Sequence, residues 1–200
     1  MKKQFFIPIF LFISIYSFSQ NQETRTVDEY RNKGFFNITR FSYISVNEAK
    51  LETFSPSNGV VVTELPLDNS SAFSLQTING YFFNPYFSAG IGVGLDGYRN
   101  PNFNTLPLFL DLRAYFIDAK ASPYLYMDYG VLAKIEGGKN NGSIFNIGVG
   151  YKFPINQNRL ILVTDLSYSY KTISNDGLSI RTSESWTQIK GTMLSLGIIF

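Results

Sequence analysis

From Phe87 the chain alternates without a break: Phe87, Ala89, Ile91, Val93 and Leu95 are apolar, while Ser88, Gly90, Gly92, Gly94 and Asp96 are small or charged. Successive side chains of a strand point to opposite faces, so a period of two gives each face a single chemistry, which a helical repeat of 3.6 cannot do. The pattern recurs as Leu106, Leu108, Leu110, Leu112, Ala114 and Phe116 against Phe109, Asp111, Arg113 and Tyr115. At the carboxyl end Leu194, Leu196, Ile198 and Phe200 share a face, with Gly191, Ser195 and Gly197 among the residues between. Further strand-like stretches cover residues 35–46, 72–82, 123–133, 143–153 and 160–172, and the last strand spans 188–200. The sequence therefore reads as eight strands, each with one greasy and one polar face.

Most of these stretches run about nine to thirteen residues, the length of a tilted strand crossing a bilayer rather than the roughly five or six of a soluble sheet. The links alternate in length. Those at 83–85, 117–122 and 154–159 are short, and those at 45–71, 97–104, 134–142 and 173–187 are longer or more polar. Short periplasmic turns alternating with longer external loops define a barrel with both termini in the periplasm. The predicted fold is all-β, an eight-stranded antiparallel up-and-down transmembrane β-barrel over residues 34–200. Within the first long link, Val60-Val61-Val62-Thr63 suggests that residues 51–67 extend an external hairpin.

Bare alternation also suits a soluble barrel with its apolar face inward. Side-chain size separates the two. The Gly90, Gly92, Gly94 row and the Gly148, Gly150 row carry almost no volume and fit a narrow interior, whereas rows of Leu, Ile and Phe suit lipid. Aromatic residues near strand ends, with Tyr124, Phe153 and Phe200 at one rim and Tyr168 and Tyr170 at the other, resemble interfacial girdles. The first strand fits least well. In residues 35–43 neither parity is cleanly apolar, which suggests a bulge in its register.

Residues 1–19 read as a signal peptide, with Lys2 and Lys3 ahead of an apolar stretch interrupted by Pro8, and residues 20–33 as a periplasmic N-terminal segment. The apolar run is shorter than the roughly twenty residues of a spanning helix. The chain holds 17 basic and 15 acidic residues; without Lys2 and Lys3 the balance is 15 to 15. A neutral chain lacking a basic block argues against nucleic acid as a partner. Cysteine is absent, which removes disulfides, thiolate metal sites and a lipid-modified cysteine, and histidine is absent, which removes Ser-His catalysis and histidine metal ligation. No metal, cofactor or catalytic set is expected.

Residues 34–39, Asn79-Gly80-Tyr81-Phe82, residues 90–96, residues 106–113 and the Phe200 terminus together resemble the eight-stranded outer-membrane β-barrel family of small OmpA- and OmpX-type architecture. The resemblance covers nearly all the chain after the signal peptide. It implies an outer-membrane location and export through the Sec pathway. It also implies a terminal strand read by the barrel-assembly machinery, with Phe200, Ile198 and Leu196 as the signal, and an outer wall in contact with outer-membrane lipid. It implies no activity, because the family includes adhesins, structural anchors and secretion-system parts.

The strongest cluster of chemical groups is interior. Asp111, Asp128 and Asp165 each lie about five residues from the periplasmic ends of their strands, with Arg113 and Lys152 near, so they are expected at similar depth. Such a cluster acts either as a salt-bridge network filling the lumen or as a site of ion passage or acid–base chemistry. Residues 92–97 spell GxGxxG, but a dinucleotide site needs a helix after the loop, and an Asn-Pro loop and another strand follow. In the external links Tyr98, Phe103 and Trp186 are candidates for recognition, against plain solvated connections. The leading expectation is a non-enzymatic barrel with a structural or surface-interaction role through its loops and a surface or periplasmic protein partner. The alternatives are a narrow channel or secretion/assembly component, and a soluble secreted lipid-binding barrel.

Overall fold

The computed structural model describes residues 32–55, 59–100, 102–134, 141–156, 160–174 and 184–200. The expected signal peptide and most of the expected N-terminal segment lie outside the described residues, as does most of the link at 134–142. Nine strands are seen among the described residues: β1 Gly34–Ser55, β2 Gly59–Glu64, β3 Ser71–Asn84, β4 Phe87–Arg99, β5 Phe103–Tyr115, β6 Ser122–Lys134, β7 Asn141–Asn156, β8 Leu160–Ser174 and β9 Glu184–Ile199. All pair antiparallel in the order β2-β1-β3-β4-β5-β6-β7-β8-β9, and β1 pairs again with β9. That second pairing closes eight strands into a barrel, with β2 as an appendage on β1.

Closure follows from the terminal strand. Ile38 stands opposite Ile199, and the β1–β9 ladder runs up to Phe54 opposite Glu184. Past β9, Phe200 still exchanges hydrogen bonds with Asn37, 2.9 and 3.2 Å long. Ser42 Oγ donates to Ser195 Oγ across the same seam at 2.8 Å. A closed ladder leaves no edge in the barrel wall, which hydrocarbon would not tolerate.

The faces sort by parity. On β4 Phe87, Ile91 and Leu95 point out while Ser88, Gly92, Asp96 and Tyr98 are inside, and on β5 Leu108, Leu110 and Leu112 are out while Phe109, Asp111, Arg113 and Tyr115 are in. The interior leaves no room at the glycine rows: a Cβ at Gly92 would overlap the Phe109 ring, and one at Gly150 the Tyr124 ring. Those glycines are the space the large inward rings occupy.

The hairpin expected at 51–67 is present: β1 runs on to Ser55 and pairs Lys50 through Ser55 with Glu64 through Gly59 of β2. Two features differ from the sequence reading. The β1–β9 register shifts between Val46 and Glu48, so the inward residues change from Val46 to Ala49. This bulge lies at the top of the expected first strand rather than within residues 35–43. Tyr124 is not a rim residue; it sits inside the barrel, because its parity matches Tyr126 and Asp128.

Candidate functional site: a charge-filled lumen

Eight charged side chains are buried among the described residues: Arg40, Arg113, Lys152 and Lys171 against Asp96, Asp111, Asp128 and Asp165. The numbers of each sign are equal. An isolated charge in such an interior costs several kcal/mol, so the value of each group depends on its partners.

At the centre stands Arg40, brought inward from β1. Its Nη2 donates to Asp128 Oδ2 at 2.7 Å and to Gln76 Oε1 at 2.5 Å, its Nε donates to Gln76 Oε1 at 3.0 Å, and Nη1 lies 3.6 Å from Asp165 Oδ2. Asn146 Nδ2 adds a 3.0 Å bond to the same Asp128 oxygen. The guanidinium lies 4.9 Å from the Tyr126 ring centre. On β5, Arg113 and Asp111 are two residues apart and therefore on one face; Nε donates to Oδ1 at 2.8 Å and Nη2 to Oδ2 at 3.0 Å. Arg113 packs on Tyr124 and Tyr126, 5.2 and 5.4 Å from their centres. Asp128 stands directly across the ladder from Asp111, and Tyr124 Oη donates to Asp165. Asp128 and Asp165 thus meet around Arg40, a cation that the sequence reading missed, with the Asp111–Arg113 pair beside Asp128.

Lys152 does not join them. Its Nζ donates to Asn32 Oδ1 and lies 5.0 Å from the Tyr115 ring, while Asn32 Nδ2 donates to the Pro85 carbonyl at 2.7 Å. It lies below Gly150, the residue opposite Asp165, because one inward step along β7 separates them. Asn32, held by Lys152, therefore ties the segment before β1 to the β3–β4 turn, at the mouth where β1 begins and β9 ends.

A second network lies toward the other end. Lys171 Nζ donates to Asp96 Oδ2 at 2.8 Å, Thr105 Oγ1 donates to the same oxygen at 2.9 Å, and Ser74 Oγ donates to Asp96 Oδ1 at 2.5 Å. Tyr98 lies 5.1 Å from Lys171 Nζ and stacks on Phe103 at 4.4 Å. Tyr98 and Phe103, expected in an external loop, therefore belong to β4 and β5, and Tyr98 is only 3% exposed. Trp186 is on β9 opposite Glu52, half-buried in the strand rather than in a loop. Lys171 carried a readable signal: it continues the inward parity of Asp165 in steps of two.

Among the described residues no group of acidic side chains is placed to hold a metal ion. The polar lumen offers paired charges and stacked rings, the chemistry of a packed interior.

Searches with family models and against curated proteins found no match. Among solved structures, the chain is similar to the outer-membrane protein OprG from Pseudomonas aeruginosa at 12% identity, with 86% of this chain and 99% of that chain covered and a TM-score of 0.52. Alignments also exist with the outer-membrane protein AlkL in lipid bilayers (15% identity, 90% and 95% coverage, TM-score 0.48) and Neisserial surface protein A (16% identity, 84% and 98% coverage, TM-score 0.46). Closed by β1 and β9 around a polar lumen, the chain has the fold of the small eight-stranded outer-membrane β-barrels.

Proposed function

We propose that this chain is a non-enzymatic outer-membrane protein with a surface-interaction role, carried by the part of its wall that rises beyond the barrel. The observation that supports this reading is the three-stranded sheet formed by β2, the distal half of β1 and the start of β9. All of β2 is exposed, and Val60 at 64%, Val61 and Val62 leave an apolar strand with one edge unpaired among the described residues. Such an edge adds a strand from an extended partner through backbone hydrogen bonds, with alternate side chains supplying specificity. Trp186, beside Glu52 on the adjoining strand, contributes an aromatic anchor to the same sheet. The base of the sheet is tied by Glu48, which accepts from Lys50 at 2.7 Å and Lys190 at 3.0 Å.

The same reading has the chain exported by the Sec pathway, with both termini periplasmic. The barrel-assembly machinery reads Leu196, Ile198 and Phe200, and outer-membrane lipid meets the apolar wall. A lumen crossed by Arg40 and Arg113 argues against a conduit. The test is a single cysteine at Val61→Cys, treated in intact cells with a membrane-impermeant maleimide. Labelling equal to that in lysed cells supports the reading; labelling only after lysis refutes a surface role. Planar-bilayer recording accompanies it, and a stable unitary conductance would return the channel reading to first place.

A further inference from the structure

The outer face of the barrel is largely apolar, and its described residues include a hydrogen-bonded polar patch on β1 and β3. On β1 and β3 the outward residues run Phe35, Asn37, Thr39, Phe41, Tyr43 and, opposite them, Tyr81, Asn79, Thr77, Leu75, Phe73. Two successive outward rows are thus polar, between an aromatic row below and aromatic and aliphatic rows above. They are hydrogen-bonded to one another: Asn37 Nδ2 donates to Thr77 Oγ1 at 3.0 Å and to Asn79 Oδ1 at 2.9 Å, and Thr39 Oγ1 donates to Asn37 Oδ1 at 3.4 Å. Behind them the wall is inverted, with Phe36, Ile38, Ile78 and Phe82 buried inside.

Depth makes this patch consequential. Each outward step is two residues, which is about 5 Å along the membrane normal for a strand tilted by roughly 40°. The polar rows therefore lie about 5 and 10 Å above the Phe35–Tyr81 row, inside an apolar band about 25 Å tall. On the flanking strands the facing residues are Ile91 and Val93 of β4 and Ile198 of β9. Asn79 Nδ2 and the Thr77 hydroxyl proton make no hydrogen bond among the described residues. In hydrocarbon an unsatisfied polar group is strongly disfavoured, and intramembrane polar side chains mark sites of contact or function.

We propose that this β1–β3 face is a lateral interface between two copies of the chain within one membrane. The proposal rests on the membrane reading above. Any lateral partner must offer polar groups at the same depth with apolar groups above and below them. A second copy related by a twofold axis along the membrane normal does this automatically, because every row then meets its own counterpart. Asparagine and threonine both donate and accept, so the patch is complementary to itself, and the free Asn79 amide protons find acceptors on the partner's asparagines. The Phe35–Tyr81 pair, with ring centres 4.9 Å apart, and the Phe41–Phe73 stack at 5.8 Å provide matching apolar borders. The contact excludes lipid from a patch that lipid cannot solvate.

The chain has no cysteine, so single cysteines report cleanly. Asn79→Cys in proteoliposomes treated with a short bismaleimide should give a covalent dimer, whereas Ile147→Cys on the outer face of β7 should remain monomeric. Labelled protein in supported bilayers should bleach in two steps, and Asn37→Leu with Asn79→Leu should convert this to one step while the barrel still co-floats with liposomes. One-step bleaching of the unaltered chain, equal cross-linking at both cysteines, or a leucine variant that still bleaches in two steps overturns the proposal. Failure of the unaltered chain to co-float would instead count against the membrane reading itself.

Discussion

Replacing Arg40 tests the idea that the lumen is held by charge balance. Arg40→Met keeps much of the aliphatic volume and removes the cation that faces Asp128 at 2.7 Å and Asp165 at 3.6 Å. The lumen then holds one acid more than it holds bases, and Gln76 Oε1 loses both of its donors. Removing one partner of a buried pair costs about 3–5 kcal/mol, most of it the penalty of the charge left behind. For a urea slope of about 2 kcal/mol per molar, the unfolding midpoint in detergent or liposomes should fall by roughly 1.5–2.5 M. Adding Asp128→Asn restores the balance and should recover more than half of the loss, since the two groups touch and their effects are not additive. Heat-modifiable gel mobility and intrinsic fluorescence would both read the midpoint. An unchanged midpoint for Arg40→Met, or a double variant no more stable than the single, would refute the balance argument.

Arg113→Ala should also lower stability, by about 3–5 kcal/mol, because Asp111 loses a bidentate partner while Asp128 remains opposite it. Gly130→Ala should slow or prevent barrel formation: its Cβ would overlap the Leu108 carbonyl and lie 2.5 Å from Phe109 Cα, and backbone cannot yield as a side-chain tip can. Refolding into liposomes, scored by gel mobility, checks it. The Lys50 and Lys190 hydrogen bonds hold the Glu48 carboxyl below the usual carboxylate range. The stabilisation of the projecting sheet is therefore present above the ordinary carboxylate pKa and lost as pH falls through the lowered one. The protection factors of β2 amides, which discount the intrinsic pH dependence of exchange, should fall only at that acid limit, and Glu48→Gln should remove that acid-side fall.

Where one face was lined by leucine or glycine, the sequence exposed the architecture directly: β4, β5 and β9 appear in the structure with the faces their alternation implies. β1 resisted the same reading for a physical reason. Its outward Asn37 and Thr39 and inward Phe36 and Ile38 reverse the usual polarity, so neither parity looks apolar, and Arg40, the centre of the lumen, was hidden in that ambiguity. The interior acids were legible as residues of like depth because depth follows from counting along strands. Their partners were not, since the pairings Arg40–Asp128 and Lys171–Asp96 join strands far apart in the chain. Tyr124 was misplaced because an aromatic ring near a strand end suits a rim and a filled lumen equally, and only exact parity separates the two; Tyr98 was read as part of a loop because β4 runs on to Arg99, beyond its clean alternation.

The two halves of the code also do different work. Alternation distinguishes registers that differ by one residue, because such a slip exchanges the faces. It is silent about a slip of two, which leaves each side chain on the face it already occupies. A slip of two moves a strand by about 6.6–6.8 Å, enough to separate every ion pair it carries. If β1 moved so against β9, Ser42 would leave Ser195 and Arg40 would leave the level of Asp128. The barrel would keep its hydrophobic pattern but hold unpaired buried charges. Hydrophobic alternation therefore selects the faces of this barrel, and the paired charges of the lumen select its register.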